Sequence, residues 1–200
     1  FLFPEDHDVS RGKLRSCGKA GKDVGIRVVD SEDNDVPIGE VGEVIIQSLN
    51  NMKGYWNRPE ATAESIKNGW FYSGDIGYFD DDGFLYIHDR VKDMIVSGGE
   101  NIYPAEVENA LLSHPQILDA AVIGIPDDKW GEATKAFIVQ SEGDPLDEVE
   151  VISYVKTKIA GYKCPKTVEH INELPRNPSG KILRKDLRAP YWEGRERNVS

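Results

Sequence analysis

The sequence predicts an α+β protein in which a β-rich segment is followed, from about residue 90, by a compact α+β domain. Short runs rich in β-branched and aromatic residues dominate the first part of the chain. Amphipathic helical patterns appear after that point and alternate with strand-like runs. The chain has 200 residues, 39% of them hydrophobic, which suffices for one large domain or two small ones with buried cores.

The first part reads as strands joined by turns. Strands are expected at residues 26–30 and 41–47, separated by the turn-rich stretch 31–37. Residues 70–90 are expected to form a strand, a loop and then a hairpin that turns at Asp81-Asp82-Gly83, because Asp-Gly supplies the positive φ of a tight turn. No obvious helix accompanies these strands.

The second part alternates helices and strands. A helix is expected at 104–114, where Pro104 suits a helix start and apolar residues share one face. A second helix is expected at 144–161, with Asp144 as N-cap and Gly161 as its stop. The remaining expected elements are strands at 117–126, 132–140 and 168–174 and a final helix at 181–188.

Composition and charge exclude several classes of function. The net charge of −11 argues against a general nucleic-acid binder. The cysteines, Cys17 and Cys164, form no CxxC pair, which favours free thiols and a reducing cytoplasm. No apolar run approaches the ~20 residues that span a bilayer, and the start lacks the features of a signal peptide. Basic residues concentrate after residue 155, which suits a small phosphorylated ligand.

Four local features could carry chemistry, and each also has a purely structural interpretation. Asp75 in YSGD could hydrogen-bond a sugar diol or cap a turn. The paired glycines Gly98 and Gly99 allow close approach of either a packed neighbour or a ligand. Lys181 ends a rigid turn and could be aimed at a phosphate or be an ordinary surface lysine. Trp130 could dock a flat ligand or be buried. No catalytic triad or metal-ligand spacing is evident.

Four stretches occur in a fixed order: residues 54–108, DDKWGE at 127–132, YKCPK at 162–166 and PRNPSGK at 175–181. Together they closely resemble the adenylate-forming (AMP-binding) superfamily, specifically its acyl-CoA synthetase branch. The resemblance covers nearly the whole chain. It implies a β-rich last part of a large AMP-binding domain followed by a small α+β lid domain.

The resemblance implies two half-reactions. A carboxylate attacks the α-phosphate of ATP to give an acyl-adenylate and pyrophosphate, and the thiol of coenzyme A then displaces AMP. By position, Asp75 resembles the aspartate that binds the ribose hydroxyls and Arg90 an arginine that contacts the nucleotide. Lys181 resembles the lysine that bridges the carboxylate and the α-phosphate.

The same resemblance implies that the lid rotates between the half-reactions about a hinge at 90–92, with Lys92 at the hinge position. Gly98 and Gly99 would then line the pantetheine tunnel. Cys164 stands where some relatives carry arginine, so no phosphate contact is expected there. The residues expected to meet the nucleotide end of coenzyme A are Trp130, Tyr162, Lys163 and Lys166.

The implied organisation is 1–89 as the end of the large domain, 90–92 as hinge, 93–190 as lid and 191–200 as a disordered tail. The phosphate loop and the motif that holds Mg²⁺ are not found in this sequence, so we expect a fragment that is inactive by itself. Its parent would be a cytoplasmic enzyme that uses ATP with Mg²⁺, coenzyme A and an acid. Fatty acids are the first expectation for that acid and aromatic acids the second, and peripheral membrane contact is compatible with the sequence.

Two alternatives stay open at this point. The parent could be a superfamily relative that loads a carrier protein or oxidises its adenylate. It could also be a catalytically silent binding module that retains the lid fold.

Overall fold

The computed structural model describes residues 1–141, 143 and 145–195. The chain divides into two compact units, Phe1–Val91 and Lys92–Ser200. A 3₁₀ turn, Val91–Asp93, covers the division. The α+β class predicted from the sequence is confirmed, with strands prevailing over helices.

The first unit is a five-stranded antiparallel sheet. Its strands are β1 (Val24–Val29), β2 (Gly42–Ser48), β3 (Ile66–Lys67), β4 (Trp70–Phe79) and β5 (Leu85–Arg90), with the short helix α1 (Pro59–Ser65) before β3. The order is β1-β2-β4-β3, and β5 also pairs with β4. Alternate residues of β1 and β2, among them Val28 and Val44, pack with Leu85 in a small core.

The first unit differs from expectation mainly in the form of residues 70–79 and in a short helix with the two-residue strand β3 after it. Residues 70–79 form one continuous strand, and the loop expected within it is instead an irregularity in strand pairing between Ile76 and Gly77. Helix α1 was not predicted, since it has only seven residues and its start is marked by little more than Pro59. The predicted turn at residues 81–83 is confirmed between β4 and β5.

In the described residues of the second unit, a five-stranded sheet is combined with three α-helices. The strands are β6 (Ile95–Ser97), β7 (Glu100–Ile102), β8 (Ile117–Asp127), β9 (Gly131–Gln140) and β10 (Thr167–His170). The helices are α2 (Pro104–Leu112), α3 (Glu148–Lys156) and α4 (Arg184–Arg188). Strand β9 pairs antiparallel with β8 along its length, parallel with β10 and, at one end, antiparallel with β6.

Both faces of the β8–β9 pair are buried, which explains why these strands read as nearly continuous apolar runs. On one face, Val122 and Ile138 pack against side chains of α2 and α3. On the other face, Ile123 and Phe137 pack against Leu174 and residues around α4. Successive strand residues point to opposite faces, so neither face can be polar over this stretch.

The helix predicted at 144–161 is shorter and begins later than expected. Helix α3 starts at Glu148, and the Asp147 carboxylate accepts the N–H groups of Val149 (2.8 Å) and Glu150 (3.3 Å). Asp147 is therefore the N-cap. Asp144, the residue expected in that role, lies outside the described residues.

The last elements are also shorter than predicted. The strand expected at 168–174 ends at His170, and the helix expected at 181–188 begins at Arg184 because residues 176–182 remain in a turn. Residues 191–195, assigned to a disordered tail, are described here, and Trp192 donates its indole N–H to the Gly124 carbonyl at 3.0 Å. Residues 196–200 lie outside the described part.

Replacing the N-cap tests the revised helix start. Asp147→Ala should destabilise the chain by about 1 kcal/mol, because two helix N–H groups lose their acceptor. Asp147→Ser keeps an acceptor and should lose much less. Urea unfolding followed by circular dichroism measures both, and an equal loss in the two variants would contradict the assignment.

Candidate functional site

In the first unit, the structure brings Asp75 and Arg90 together. They are directly opposite each other on β4 and β5, and Arg90 Nε lies 3.0 Å from Asp75 Oδ1. About a third of the Asp75 side chain and two-thirds of the Arg90 side chain are exposed. The pair can therefore offer both a hydrogen-bond acceptor and a cation to a ligand at the surface of this unit.

Hydrogen bonds to β2 hold the part of β4 that carries Asp75. The Ser73 hydroxyl donates to the Val44 carbonyl (2.7 Å) and accepts from the Asp75 N–H (3.1 Å). The Gly74 N–H donates to the Glu43 carboxylate at 3.1 Å. Burial raises the pKa of Glu43, and this hydrogen bond opposes the rise. Sequence reasoning missed Glu43, whose only signal was a carboxylate inside the apolar run 41–47.

In the second unit, Lys181 ends a turn that Asn177 organises. The side-chain oxygen of Asn177 accepts the Ser179 N–H (3.0 Å), the Ser179 hydroxyl (2.8 Å) and the Lys181 N–H (2.9 Å). The Asn177 N–H in turn donates to the Lys181 carbonyl at 2.9 Å. The peptide groups on both sides of the Lys181 Cα are thus fixed, while its side chain is exposed.

Arg176 fastens the same turn to the sheet. Its guanidinium donates to the Gly180 carbonyl (2.6 Å) and to the Asp119 carboxylate of β8 (2.5 Å). The isolated pairing of Arg176 with Ile182 closes the turn. The rigid turn predicted from the Pro-rich sequence is present, and the residues that make it rigid are Asn177 and Arg176.

An ion-pair cluster anchors the chain just after Lys181. Arg184 donates to Glu108 of α2 from both Nε (3.2 Å) and Nη2 (2.7 Å to the nearer oxygen), and Glu108 also accepts the Val122 N–H at 2.8 Å. Arg184 and Arg188 each lie 3.6 Å from Asp93. The negative charges of Glu108 and Asp93 therefore lie next to the positive charges of Arg184 and Arg188 in a largely buried cluster.

Lys92, the residue expected at the hinge, lies in the 3₁₀ turn with its side chain exposed. Its carbonyl accepts a hydrogen bond from Arg188 at 3.3 Å. The backbone of the predicted hinge is thus hydrogen-bonded to helix α4, which begins three residues after Lys181.

Gly98 and Gly99 form the turn between β6 and β7. Both have positive φ, +63° and +87°, which disfavours other residues. The Gly98 N–H donates to the Trp130 carbonyl at 2.8 Å, so the structure brings together two features that lie far apart in sequence. The Trp130 side chain is neither buried nor fully open, since 43% of the residue is exposed.

Only some of the residues of segment 162–166 that were expected to bind coenzyme A are exposed to solvent. Tyr162 is 49% exposed and Lys166 is exposed, but the Lys163 ammonium donates to both oxygens of Glu106, at 2.8 and 2.7 Å. Burial lowers the pKa of Lys163, but the bonds to Glu106 outweigh burial and leave the pKa raised. Lys163 therefore holds this segment to α2 in the present arrangement. Cys164 lies in the core, where burial raises its thiol pKa.

Within residues 1–141, 143 and 145–195, no group of three or more His, Cys, Asp or Glu side chains is arranged to hold a metal ion. The same residues contain no helix long and apolar enough to cross a membrane.

Residues 106–181 match the sequence model of the AMP-binding enzyme C-terminal domain. The chain is 48% identical to feruloyl-CoA synthase of Amycolatopsis sp over 179 residues, which cover 90% of this chain and 36% of that protein. It is 40% identical to the fatty acid–[acyl-carrier-protein] ligase ScoC of Streptomyces coeruleorubidus over 199 residues, which cover 100% and 38%.

Among solved structures, the fold is similar to o-succinylbenzoate CoA synthetase (MenE) from Bacillus subtilis, in complex with the acyl-adenylate intermediate OSB-AMP. The TM-score is 0.81 and the identity 43%, over 90% of this chain and 37% of that chain. The chain therefore belongs to the adenylate-forming (AMP-binding) superfamily, as the motifs predicted. It matches the C-terminal part of acyl-CoA synthetases and spans little more than a third of the length of these relatives.

The ion-pair cluster gives a stability test. Glu108→Ala should destabilise the second unit by about 2–3 kcal/mol, because it removes the carboxylate that accepts hydrogen bonds from the largely buried Arg184 guanidinium and from the Val122 N–H. Asp128→Ala, in the exposed pair with Arg195, is the matched control and should change stability little. Urea unfolding measures both, and similar losses in the two variants would refute the importance of the cluster.

Proposed function

We propose that this chain is the C-terminal part of an ATP-dependent acyl-CoA synthetase, with Lys181 as its adenylation lysine. In this reaction a carboxylate oxygen bonds to the α-phosphorus of ATP and the bond to pyrophosphate breaks. The coenzyme A thiol, losing its proton, then bonds to the acyl carbon, and the bond to AMP breaks. The observation that carries the proposal is the exposed Lys181 side chain on a turn fixed at both neighbouring peptides.

The first half-reaction brings two anions together, which a positioned cation would favour. An ammonium that bridges the carboxylate and the α-phosphate offsets their repulsion as the bond forms. A fixed turn supports this role because less freedom of the lysine is lost in the transition state. In the first unit, Asp75 would accept from the ribose hydroxyls and Arg90 would contact the nucleotide.

The second half-reaction would use the other end of the β8–β9 pair. We assign Gly99 to the passage for the pantetheine thiol, and the exposed Trp130, Tyr162 and Lys166 to the nucleotide end of coenzyme A. Rotation about Lys92 would replace the turn that carries Lys181 with the Gly98–Gly99 turn at one reaction centre. Lys163 would join this surface only by leaving Glu106.

The acid is proposed to be a fatty acid, with an aromatic acid as the alternative. The relatives compared above are named for feruloyl, fatty-acid and o-succinylbenzoate substrates. Similar sequence in this part thus accompanies different acids, which supports acyl selectivity residing elsewhere in the enzyme. A cytoplasmic location is proposed because ATP and coenzyme A are used and both cysteines are free thiols. ATP would be used with Mg²⁺, to which the described residues offer no cluster of ligands.

A second candidate function is transfer of the acyl group to a carrier protein. The similarity to a fatty acid–[acyl-carrier-protein] ligase along the whole chain supports it. Supplying coenzyme A and acyl carrier protein in parallel to the full-length enzyme, meaning a protein of the relatives' length that carries this sequence, distinguishes the two. Calorimetry with coenzyme A and an acyl-adenylate analogue tests the silent-module alternative, since a silent module need bind neither.

Replacing the proposed catalytic lysine should separate the half-reactions. Lys181→Ala in the full-length enzyme should slow adenylation by at least about 100-fold, because a cation aimed at the transition state is lost. Thioester formation from supplied acyl-adenylate should be unchanged. Lys185→Ala, an exposed lysine on α4, is the matched control and should affect neither step. Equal loss in both half-reactions would overturn the role of Lys181.

Adding a side chain at Gly99 should impair the second half-reaction and not the first, the opposite of the effect of Lys181→Ala. Gly99→Leu should block thioester formation and spare adenylation, because the added side chain would enter the space next to Gly99 that the thiol must cross. Gly83→Leu is a control for backbone strain, since Gly83 has a similar φ of +77° and also has open space beside it. Thioester formation that survives Gly99→Leu would exclude Gly99 from the passage.

A further inference from the structure

The Gly98–Gly99 turn and the loop that carries Trp130 are joined by backbone hydrogen bonds. The Gly98 N–H donates to the Trp130 carbonyl at 2.8 Å, and Ser97 pairs with Gly131 across β6 and β9. One residue earlier on β6, the Val96 N–H donates to the Glu132 carboxylate at 3.2 Å, and Glu132 is 5% exposed. The two motifs therefore cannot move independently without breaking these hydrogen bonds.

The two glycines face different surroundings. A Cβ built on Gly98 would lie 2.6 and 3.1 Å from two carbons of the Trp130 indole, whereas a Cβ on Gly99 would meet nothing within 4 Å. Both residues have positive φ, so backbone strain on substitution is common to both. What distinguishes Gly98 is that the indole occupies the place of its side chain.

Trp130 is 43% exposed, and the loop that carries it is held by hydrogen bonds. The Asp127 carboxylate accepts the N–H groups of Lys129 and Trp130, both at 2.9 Å, which fixes the loop backbone. The Lys129 ammonium lies 4.5 Å from the centre of the ring. A seated, partly exposed indole beside a cation suits a flat base with a nearby phosphate, which is the chemistry of a nucleotide.

We propose that Gly98 is a positioning residue: its missing side chain seats the Trp130 indole, and the seated indole forms part of the surface that binds the acyl acceptor. Gly99 alone then lines the passage, whereas the sequence had suggested the same role for both glycines. The inference rests on the proposed function for the identity of the ligand. The contact of the Trp130 indole with Gly98, called the seat below, depends only on the geometry of the second unit.

The seat is tested in the 200-residue chain without any activity. Gly98→Ala should shift the indole N–H signal of Trp130 in a ¹H–¹⁵N spectrum, with that signal assigned by Trp130→Phe. Gly99→Ala, which also adds backbone strain but no clash with the indole, should leave the signal in place and lose less stability. The excess loss in Gly98→Ala should disappear in the Trp130→Ala background. An unmoved signal, or equal losses in the two alanine variants, would overturn the proposal.

The link to the acceptor is tested in the full-length enzyme. Gly98→Ala and Trp130→Ala should each raise the KM for coenzyme A about tenfold, the double variant should be no worse than Trp130→Ala, and adenylation should be unchanged. Additive losses, or a KM that Trp130→Ala leaves unchanged, would overturn the positioning role. A wild-type enzyme that forms no acyl-adenylate would instead contradict the proposed function and leave the seat intact.

Discussion

The pairing of β8 with β9 is the constraint on which the second unit depends. It runs from Ile117 opposite Gln140 to Asp127 opposite Gly131, and it presents one apolar face to α2 and α3 and the other to the segment around α4. Asp119 on β8 holds Arg176 and with it the Lys181 turn, whereas the far end of the pair holds Trp130 and the glycine turn. One rigid sheet therefore fixes both candidate loops, and a movement of the unit must carry both.

Rigidity around Lys181 comes from polar contacts rather than from packing of the lysine itself. Asn177 fixes the peptide before and after Lys181, and Arg184, three residues later, donates to Glu108. Glu108 also holds the N–H of Val122, so the helix, the strand and the C-terminal segment share one carboxylate. Such clusters specify a single arrangement because each partner left alone would be a buried charge.

Local patterns predicted much of this structure because local interactions decide it. The helix predicted at 104–114 is present as Pro104–Leu112 with Pro104 at its first position, and the Pro-rich stretch before Lys181 does form a fixed turn. The start of α3 was set too early because two aspartates three residues apart are both plausible caps, and spacing cannot choose between them. The partners of Arg184 and Trp130 lie 76 and 32 residues away, and such distant pairings leave no trace in local periodicity.

The proposed function assigns this chain to an enzyme that activates an acid as an adenylate and then transfers the acyl group to a thiol. A quenched single-turnover experiment on the full-length enzyme with ATP and the acid, analysed by mass spectrometry, tests it most directly. Acyl-adenylate and pyrophosphate should accumulate without coenzyme A, and adding coenzyme A should convert the adenylate to acyl-CoA and AMP. Formation of ADP and phosphate, or of acyl-CoA without a preceding adenylate, would contradict it.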